Sequence, residues 1–188
     1  MGPSNEAMPE LVTARLRLEP LDRHHADTLF EGLSQPALYA HLAEAPPASV
    51  DALRSRYERL ARRRSPDGAE HWLNWALFCP AEGRHVGYVQ ATVPVGTGSP
   101  SIAYVLFANA WGRGFAREAV TAMLDHLRDA YGAREALATV DTRNARSIAL
   151  LEALGFERVT VRLGAEWIGG VLTDEGEYRL RLRAGATS

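Results

Sequence analysis

The sequence predicts an α/β fold on a mixed, mostly antiparallel sheet, and three observations carry the prediction. Apolar segments of strand length come first with only a turn between them, at 72–78 and 85–93. Strand, turn and helix then alternate over 101–131 and 135–154. A chain of 188 residues, 46% of them hydrophobic, has material for one sizeable core and is short for two domains. Hairpins followed by strand–helix units make a mixed sheet rather than a wholly parallel one.

Each element follows from local pattern. Residues 1–10 hold few apolar anchors and read as a tail, the domain spans 11–183, and a short C-terminal tail covers 184–188. Residues 12–19 alternate as a strand. Segments 22–33, 35–43 and 49–64 read as helices, the last capped by Ser49. The strands 72–78 and 85–93 join through Pro80-Ala81-Glu82-Gly83 as a hairpin. A second turn, Val95-Gly96-Thr97-Gly98-Ser99-Pro100, leads to a strand over 101–107. Ala119, Val120, Met123, Leu124 and Leu127 recur at helical spacing and define a helix over 113–131. A strand over 135–141 and a helix over 145–154 follow. Residues 156–163 and 177–183 are the last strands, with 164–176 a loop between them. In the final strand Tyr178, Leu180 and Leu182 share one face and Arg179, Arg181 and Arg183 the other.

Composition narrows the function classes. A formal net charge of -2 argues against a broadly basic surface for nucleic acid or membrane. No apolar run approaches about 18 residues, and no charged, apolar, small-residue leader opens the chain, so the cytoplasm is the expected compartment. The one cysteine, Cys79, excludes an intrachain disulfide, and the six histidines show no zinc-like spacing, so no metal is expected.

The chemistry concentrates at Trp111-Gly112-Arg113-Gly114-Phe115-Ala116-Arg117-Glu118-Ala119, a glycine-rich turn between an apolar strand and an apolar helix. Gly112 and Gly114 let backbone approach a ligand closely, and the first free N–H groups of the helix, backed by its dipole, favour a phosphate. Further on, Asn144-Ala145-Arg146-Ser147-Ile148-Ala149-Leu150-Leu151-Glu152-Ala153-Leu154-Gly155-Phe156-Glu157 reads as a polar cap and a helix closed by glycine. Together these stretches resemble the GCN5-related N-acetyltransferase (GNAT) family, and within it the ribosomal-protein N-terminal, or Rim-type, branch. Thr13-Ala14-Arg15-Leu16-Arg17-Leu18-Glu19-Pro20 and Asp174-Glu175-Gly176-Glu177-Tyr178-Arg179-Leu180 are similar to that branch too, so the resemblance spans residues 11–183.

The resemblance implies a single-domain GNAT-like fold of six to seven strands flanked by helices, with two parallel central strands that splay at a bulge. It implies direct transfer of the acetyl group of acetyl-CoA to a primary amine, a protein N-terminus among the acceptors. The family's loop signature maps onto Trp111 through Ala116, and Trp111 departs from the usual Gln or Arg at its first position. Beside Trp111 and Gly112, the amides of Arg113, Gly114, Phe115, Ala116 and Arg117 would hold the pyrophosphate, with the charges of Arg113 and Arg117 in support. Backbone groups of Tyr104, Val105 and Leu106, freed by the splay, would bond the pantetheine arm and polarise the thioester carbonyl. Asn144 and Ser147 are by themselves a helix cap and a first-turn residue; the resemblance adds that Asn144 contacts the pantetheine region and Ser147 protonates the departing thiolate.

The proton on the amine is the harder problem. A thiol with a pKa near 8.5 leaves readily, whereas an amino terminus near 8 and a lysine near 10.4 must first be deprotonated. Many family members carry a glutamate on the strand before the loop, where this chain has Ser101-Ile102-Ala103-Tyr104. Glu166 is therefore the candidate base, with water as the alternative. It follows Phe156 at the distance at which some Rim-type enzymes place such a glutamate, and Trp167 would raise its pKa if both side chains pointed the same way.

The remaining features carry blander readings. Asp174, Glu175 and Glu177 form a solvated turn or an acidic rim for a basic substrate. Arg54, Arg56, Arg59, Arg62, Arg63 and Arg64 are the exposed face of an amphipathic helix, with nucleic-acid contact the lesser reading. Trp72 and Trp75 pack a strand and Cys79 is structural. A small-molecule acceptor (polyamine, amino acid or aminoglycoside) and a non-catalytic acyl-CoA-binding module are the alternative functions. The assembly is a monomer or homodimer.

Overall fold

The computed structural model describes residues 8–96 and 98–182. Its strands are β1 (Leu11–Val12), β2 (Arg17–Pro20), β3 (Glu70–Cys79), β4 (Arg84–Pro94), β5 (Ser101–Leu106), β6 (Glu135–Asp141), β7 (Glu157–Ile168) and β8 (Val171–Arg181). Its helices are α1 (His25–Leu33), α2 (Val50–Leu60), α3 (Phe115–Tyr131) and α4 (Ala145–Ala153), with a 3-10 turn at Pro36–His41. One sheet runs β1-β2-β3-β4-β5-β6-β8-β7, and every neighbouring pair is antiparallel except β5–β6.

Helices cover both faces. Phe115, Ala119, Val120, Met123, Leu124 and Leu127 of α3 and Leu151 of α4 pack on Leu18, Trp75, Leu77 and Val89. Ala26, Leu29 and Leu33 of α1 and Leu53 and Tyr57 of α2 close the other face over Ala76 and Phe107. The helical spacing read from α3 is thus a burial pattern, and its apolar stripe is what fixes the helix against the sheet.

Several boundaries differ from the sequence reading, each for a local reason. The sheet has eight strands rather than six to seven, because the first expected strand is interrupted at Thr13–Arg15. There the chain turns out to bind Glu118: Thr13 Oγ1 and the Arg15 N–H donate to Oε1 at 2.6 and 2.7 Å. The second expected helix is only a 3-10 turn, opened by Pro36, and α2 stops at Leu60 with Arg63 at φ 57. Ser49 caps α2 as expected, its side chain accepting from the Ala52 N–H at 3.1 Å. The 164–176 loop does not exist. β7 and β8 continue through it as a long hairpin whose tip is Gly169-Gly170, both at positive φ that glycine alone adopts cheaply.

Two tail assignments fall largely on residues outside those described, as does Arg183. Of the N-terminal stretch, Met8 is buried and the Pro9 carbonyl accepts from Trp75 Nε1 at 2.9 Å. Trp75 and Cys79 are buried in the core. No helix among the described residues is long and apolar enough to cross a membrane.

Candidate active site

The parallel pair β5–β6 is joined at one register position, Ser101 opposite Leu137, with the Leu137 N–H donating to the Pro100 carbonyl at 2.8 Å. Beyond it the strands part. A cavity of about 540 Å³ occupies the gap, lined by Ile102 to Leu106 on one side and Ala138 to Asp141 on the other. The expected splay is therefore present, and it opens the cavity through the middle of the sheet.

One end of this cavity is the glycine-rich turn. Gly112 and Gly114 stand at φ 71 and 80, and Gly114 is the residue before the first turn of α3, whose free N–H groups point past it. A Cβ on Gly112 would meet no atom within 4 Å, so this wall is open for a ligand to lie on. Trp111, Gly112, Gly114, Phe115, Ala116 and Arg117 line the cavity. The two arginines part company. Arg117 faces the cavity and forms no ion pair among the described residues, whereas the Arg113 guanidinium pairs with Glu82 and lies 4.6 Å from the Phe115 ring centre.

Two residues that the sequence reading passed over stiffen this end. The Arg15 guanidinium lies 4.7 Å from the Phe115 centre on its own account, donates to the Arg113 carbonyl at 2.9 Å, and pairs with Glu118 at 2.7 Å. Burial alone would raise the Glu118 carboxyl, but the bonds from Thr13 and Arg15 outweigh it and hold the group below its ordinary value. Trp111 explains its own place in the signature, because its indole N–H donates to the Leu106 carbonyl at 2.7 Å and ties the loop to the end of β5. That carbonyl is consequently occupied, while Ile102 to Leu106 all line the cavity.

At mid-cavity, Asn144 caps α4 through its side-chain oxygen, which accepts from the Ser147 N–H at 3.1 Å. The Ser147 hydroxyl lies 2.6 Å from the Tyr104 hydroxyl. Burial pushes the Tyr104 phenol above its ordinary value while the Ser147 bond pulls the other way. Both groups are thus protonated at neutral pH, a two-hydroxyl unit that no single sequence motif contains.

The opposite end is built from side chains. Glu166 and Ile168 of β7, Glu175 of β8, Asp141 of β6, and Leu38, His41 and Leu42 at the 3-10 turn line it. Glu166 lies on the wall, while its neighbour Trp167 is 62% exposed and does not line the cavity. Asp174, Glu175 and Glu177 are strand residues rather than a turn: Arg162 pairs with Glu175 and Glu177 at 2.5 and 2.8 Å, and Asp174 accepts from the Gly164 N–H at 2.8 Å. In the arginine-rich segment Arg54 pairs with Asp27 and Asp51 and Arg56 with Glu44.

His41 and Asp141 escaped the sequence reading. Their contact, Nδ1 to Oδ2 at 2.9 Å, joins positions 100 residues apart, and neither sits in a motif. Outside the cavity a second histidine cluster gathers from three elements, with Glu19 Oε2 lying 3.3 Å from His25 Nε2 and 3.1 Å from His85 Nε2. These are hydrogen-bond lengths, and Arg17 neutralises the other Glu19 oxygen at 2.9 Å, so the group is satisfied as a half-buried polar anchor.

Comparison with known proteins agrees with this geometry. The profile of the acetyltransferase (GNAT) domain matches residues 15–157. The chain is 26% identical to the uncharacterized N-acetyltransferase p20 of Bacillus licheniformis over 177 residues, which is 94% of this chain and 98% of that one. Among solved structures, the ribosomal-protein-S5-alanine acetyltransferase from Vibrio fischeri superposes with a TM-score of 0.80 at 16% identity, covering 96% of this chain and 100% of that one. Spermidine N-acetyltransferase from Vibrio cholerae, in complex with CoA and spermine, does so with a TM-score of 0.76 at 19% identity, covering 90% and 96%. These two likenesses concern the fold. A splayed parallel pair, a glycine turn opening a helix at the gap, and a matching domain profile over most of the chain place this protein in the GCN5-related N-acetyltransferase family.

Proposed function

We propose that this N-acetyltransferase moves the acetyl group of acetyl-CoA directly to a cationic primary amine, with the cofactor entering at the glycine turn and the amine from the side-chain end. The observation that carries the reading is the polarity of one continuous cavity. Open glycine backbone and a helix N-terminus stand at one end, and the Glu166 carboxylate, in no ion pair among the described residues, stands at the other. Anionic phosphates suit the first end, and an ammonium suits the second.

The residues fit acetyl-CoA, which supplies an activated acyl group and a thiolate when bound. Amides from Arg113 through Arg117 would hold its phosphates, Arg117 would add a charge, and Tyr104, Val105 and Leu106 line the cavity for the pantetheine arm. Ser147 and Tyr104 together offer hydroxyl protons at the junction of the two ends, and Asn144 keeps Ser147 in place. At the acceptor end Glu166 attracts the ammonium, and a base there takes its proton; Glu166 and His41 both stand on that wall.

Two structural neighbours are a ribosomal-protein-S5-alanine acetyltransferase and a spermidine N-acetyltransferase, and both kinds of amine carry positive charge. The polyamine reading is the second one, favoured by the Glu166 carboxylate on the acceptor wall. Thiol release from acetyl-CoA, measured over N-terminal peptides, lysine peptides, polyamines and aminoglycosides, tests the proposal. Turnover confined to one class identifies the acceptor. Binding of acetyl-CoA without turnover on any amine would leave an acyl-CoA-binding module instead.

A further inference from the structure

We infer that His41, oriented by Asp141, is the group that takes the proton from the incoming amine, with Glu166 left to hold the cation; this rests on the transfer reading above. The argument begins at Asp141. Its side chain is fully buried at the end of β6, where the Arg143 N–H donates to Oδ1 at 3.0 Å and Arg143 Nη2 to Oδ2 at 2.7 Å. Burial by itself would raise this carboxyl, but the bonds from Arg143 and His41 outweigh it and hold it far below the usual carboxylate range. An ionised carboxylate only accepts hydrogen bonds. The His41 Nδ1 contact at 2.9 Å must therefore be an N–H donated to Oδ2, which fixes the tautomer and leaves the lone pair of the neutral ring on Nε2.

His41 ends the 3-10 turn at Pro36–His41, its side chain is 35% exposed, and it lines the same cavity as Tyr104 and Ser147. No other histidine lines that cavity. The charged and titratable groups sharing its wall are Tyr104, Arg117, Asp141, Arg146, Glu166 and Glu175, with Arg143 behind Asp141 and Arg162 on Glu175. Of these, Tyr104 keeps its proton, the arginines cannot accept one, Glu175 is committed to Arg162, and Asp141 is enclosed. Glu166 Oε1 accepts from the Trp167 N–H at 3.2 Å, beside an exposed ring.

The step balances without a further reagent. An N–H bond of the ammonium breaks, its electron pair stays on nitrogen, and the proton forms a bond to His41 Nε2. The products are a neutral amine and an imidazolium whose charge Asp141 offsets, and the exposed edge of His41 returns the proton to solvent. Imidazole suits this work at neutral pH better than a solvated carboxylate does, because a base works best when it titrates near the operating pH.

The test uses the whole chain with acetyl-CoA, and spermine and an alanine-ended peptide as amines. His41→Gln should lower kcat/KM for the amine about 100-fold at pH 7. The deficit should close toward about pH 9–10, where the amine loses its own proton, while the KM for acetyl-CoA holds. Asp141→Asn should move the pH profile, which a purely structural role would not do. Nitrogen NMR of the unmodified protein, which needs no variant to fold, should show His41 with its proton on Nδ1. A His41→Gln enzyme within threefold of wild type with an unchanged profile, or a neutral His41 protonated on Nε2, overturns the inference. Absence of turnover by the wild type on both amines and the wider panel overturns the transfer reading itself, a result plainly distinct from the other two.

Discussion

The two ends of the cavity are made of different material. The cofactor end is mostly backbone drawn from one continuous stretch, Leu106 to Glu118, and its key groups are amides, two glycines and one tied-back carbonyl. The acceptor end is side chains from four separated segments, with His41, Asp141, Glu166 and Glu175 each carried in by a different element. Backbone can recognise phosphate whatever the neighbouring side chains are, so that end is tolerant and general. Side chains can be exchanged one at a time, so the other end is where the identity of the amine is set.

The largest break in this comparison should come from Gly114→Asp. The position holds φ 80, and a Cβ there would sit 3.3 Å from Arg15 Nη2. The new carboxylate faces the α3 N-terminus and draws Arg15 away from the loop. Left-handed strain of about 1–2 kcal/mol together with like-charge repulsion at the helix end should cost acetyl-CoA about 100-fold in affinity, read by calorimetry. Arg15→Ala, which frees one side of Phe115 and the Arg113 carbonyl, should raise the KM for acetyl-CoA about threefold to tenfold with kcat little changed. An amine-specific effect from either variant would break the division of labour.

Glu166→Gln probes the other end. It should raise the KM for a cationic amine about threefold to tenfold, more at low salt, and leave acetyl-CoA affinity unchanged. Between the ends, Asn144→Ala removes the α4 cap and should cost about 1 kcal/mol in a thermal or denaturant melt. If it weakened acetyl-CoA binding far beyond that loss of stability, Asn144 would be shown to contact the ligand as well as cap the helix and hold Ser147.

The same contrast decides what was legible in the sequence. The cofactor end could be read because glycine spacing, an apolar strand and a helical stripe are local, and a local pattern survives in one dimension. The α3 boundaries and the Asn144 cap came from such patterns. The splay of β5 from β6 required a family resemblance, because strand pairing over distance leaves no mark at Ser101 or Leu137 separately. His41–Asp141 was illegible for a stronger reason: its partners are 100 residues apart, and a lone histidine inside a segment that reads as a helix resembles any surface histidine. The expected 164–176 loop failed differently. Its glycines and acidic residues signal turns, but cross-strand pairs of Arg162 with Glu175 and Glu177 keep it in the sheet. The expected continuous first strand failed because Thr13 and Arg15 are recruited by Glu118, a tertiary demand that overrides local alternation.

Each end is backed by one anchored carboxylate, and the smallest expected effect concerns that symmetry. Glu118 holds the β1–β2 turn against the cofactor loop, and Asp141 holds His41 against the acceptor wall. Both carboxyls lie below their ordinary values in the folded protein. A lowered folded pKa means the unfolded chain binds the proton more tightly. The stabilisation is therefore complete above the ordinary carboxylate value of about 4 and is lost as pH falls through the lower folded value. Glu118→Gln should accordingly be less stable than wild type at pH 7, and the difference in Tm should shrink as pH is lowered from about 5 toward 3. Asp141 is protected to lower pH, so its share of stability should survive after that of Glu118 has gone. Thermal melts of both variants across this range would show the cofactor end loosening before the acceptor end. A Tm difference for Glu118→Gln that stayed constant with pH would mean that Thr13 and Arg15 are held by packing rather than by the charge.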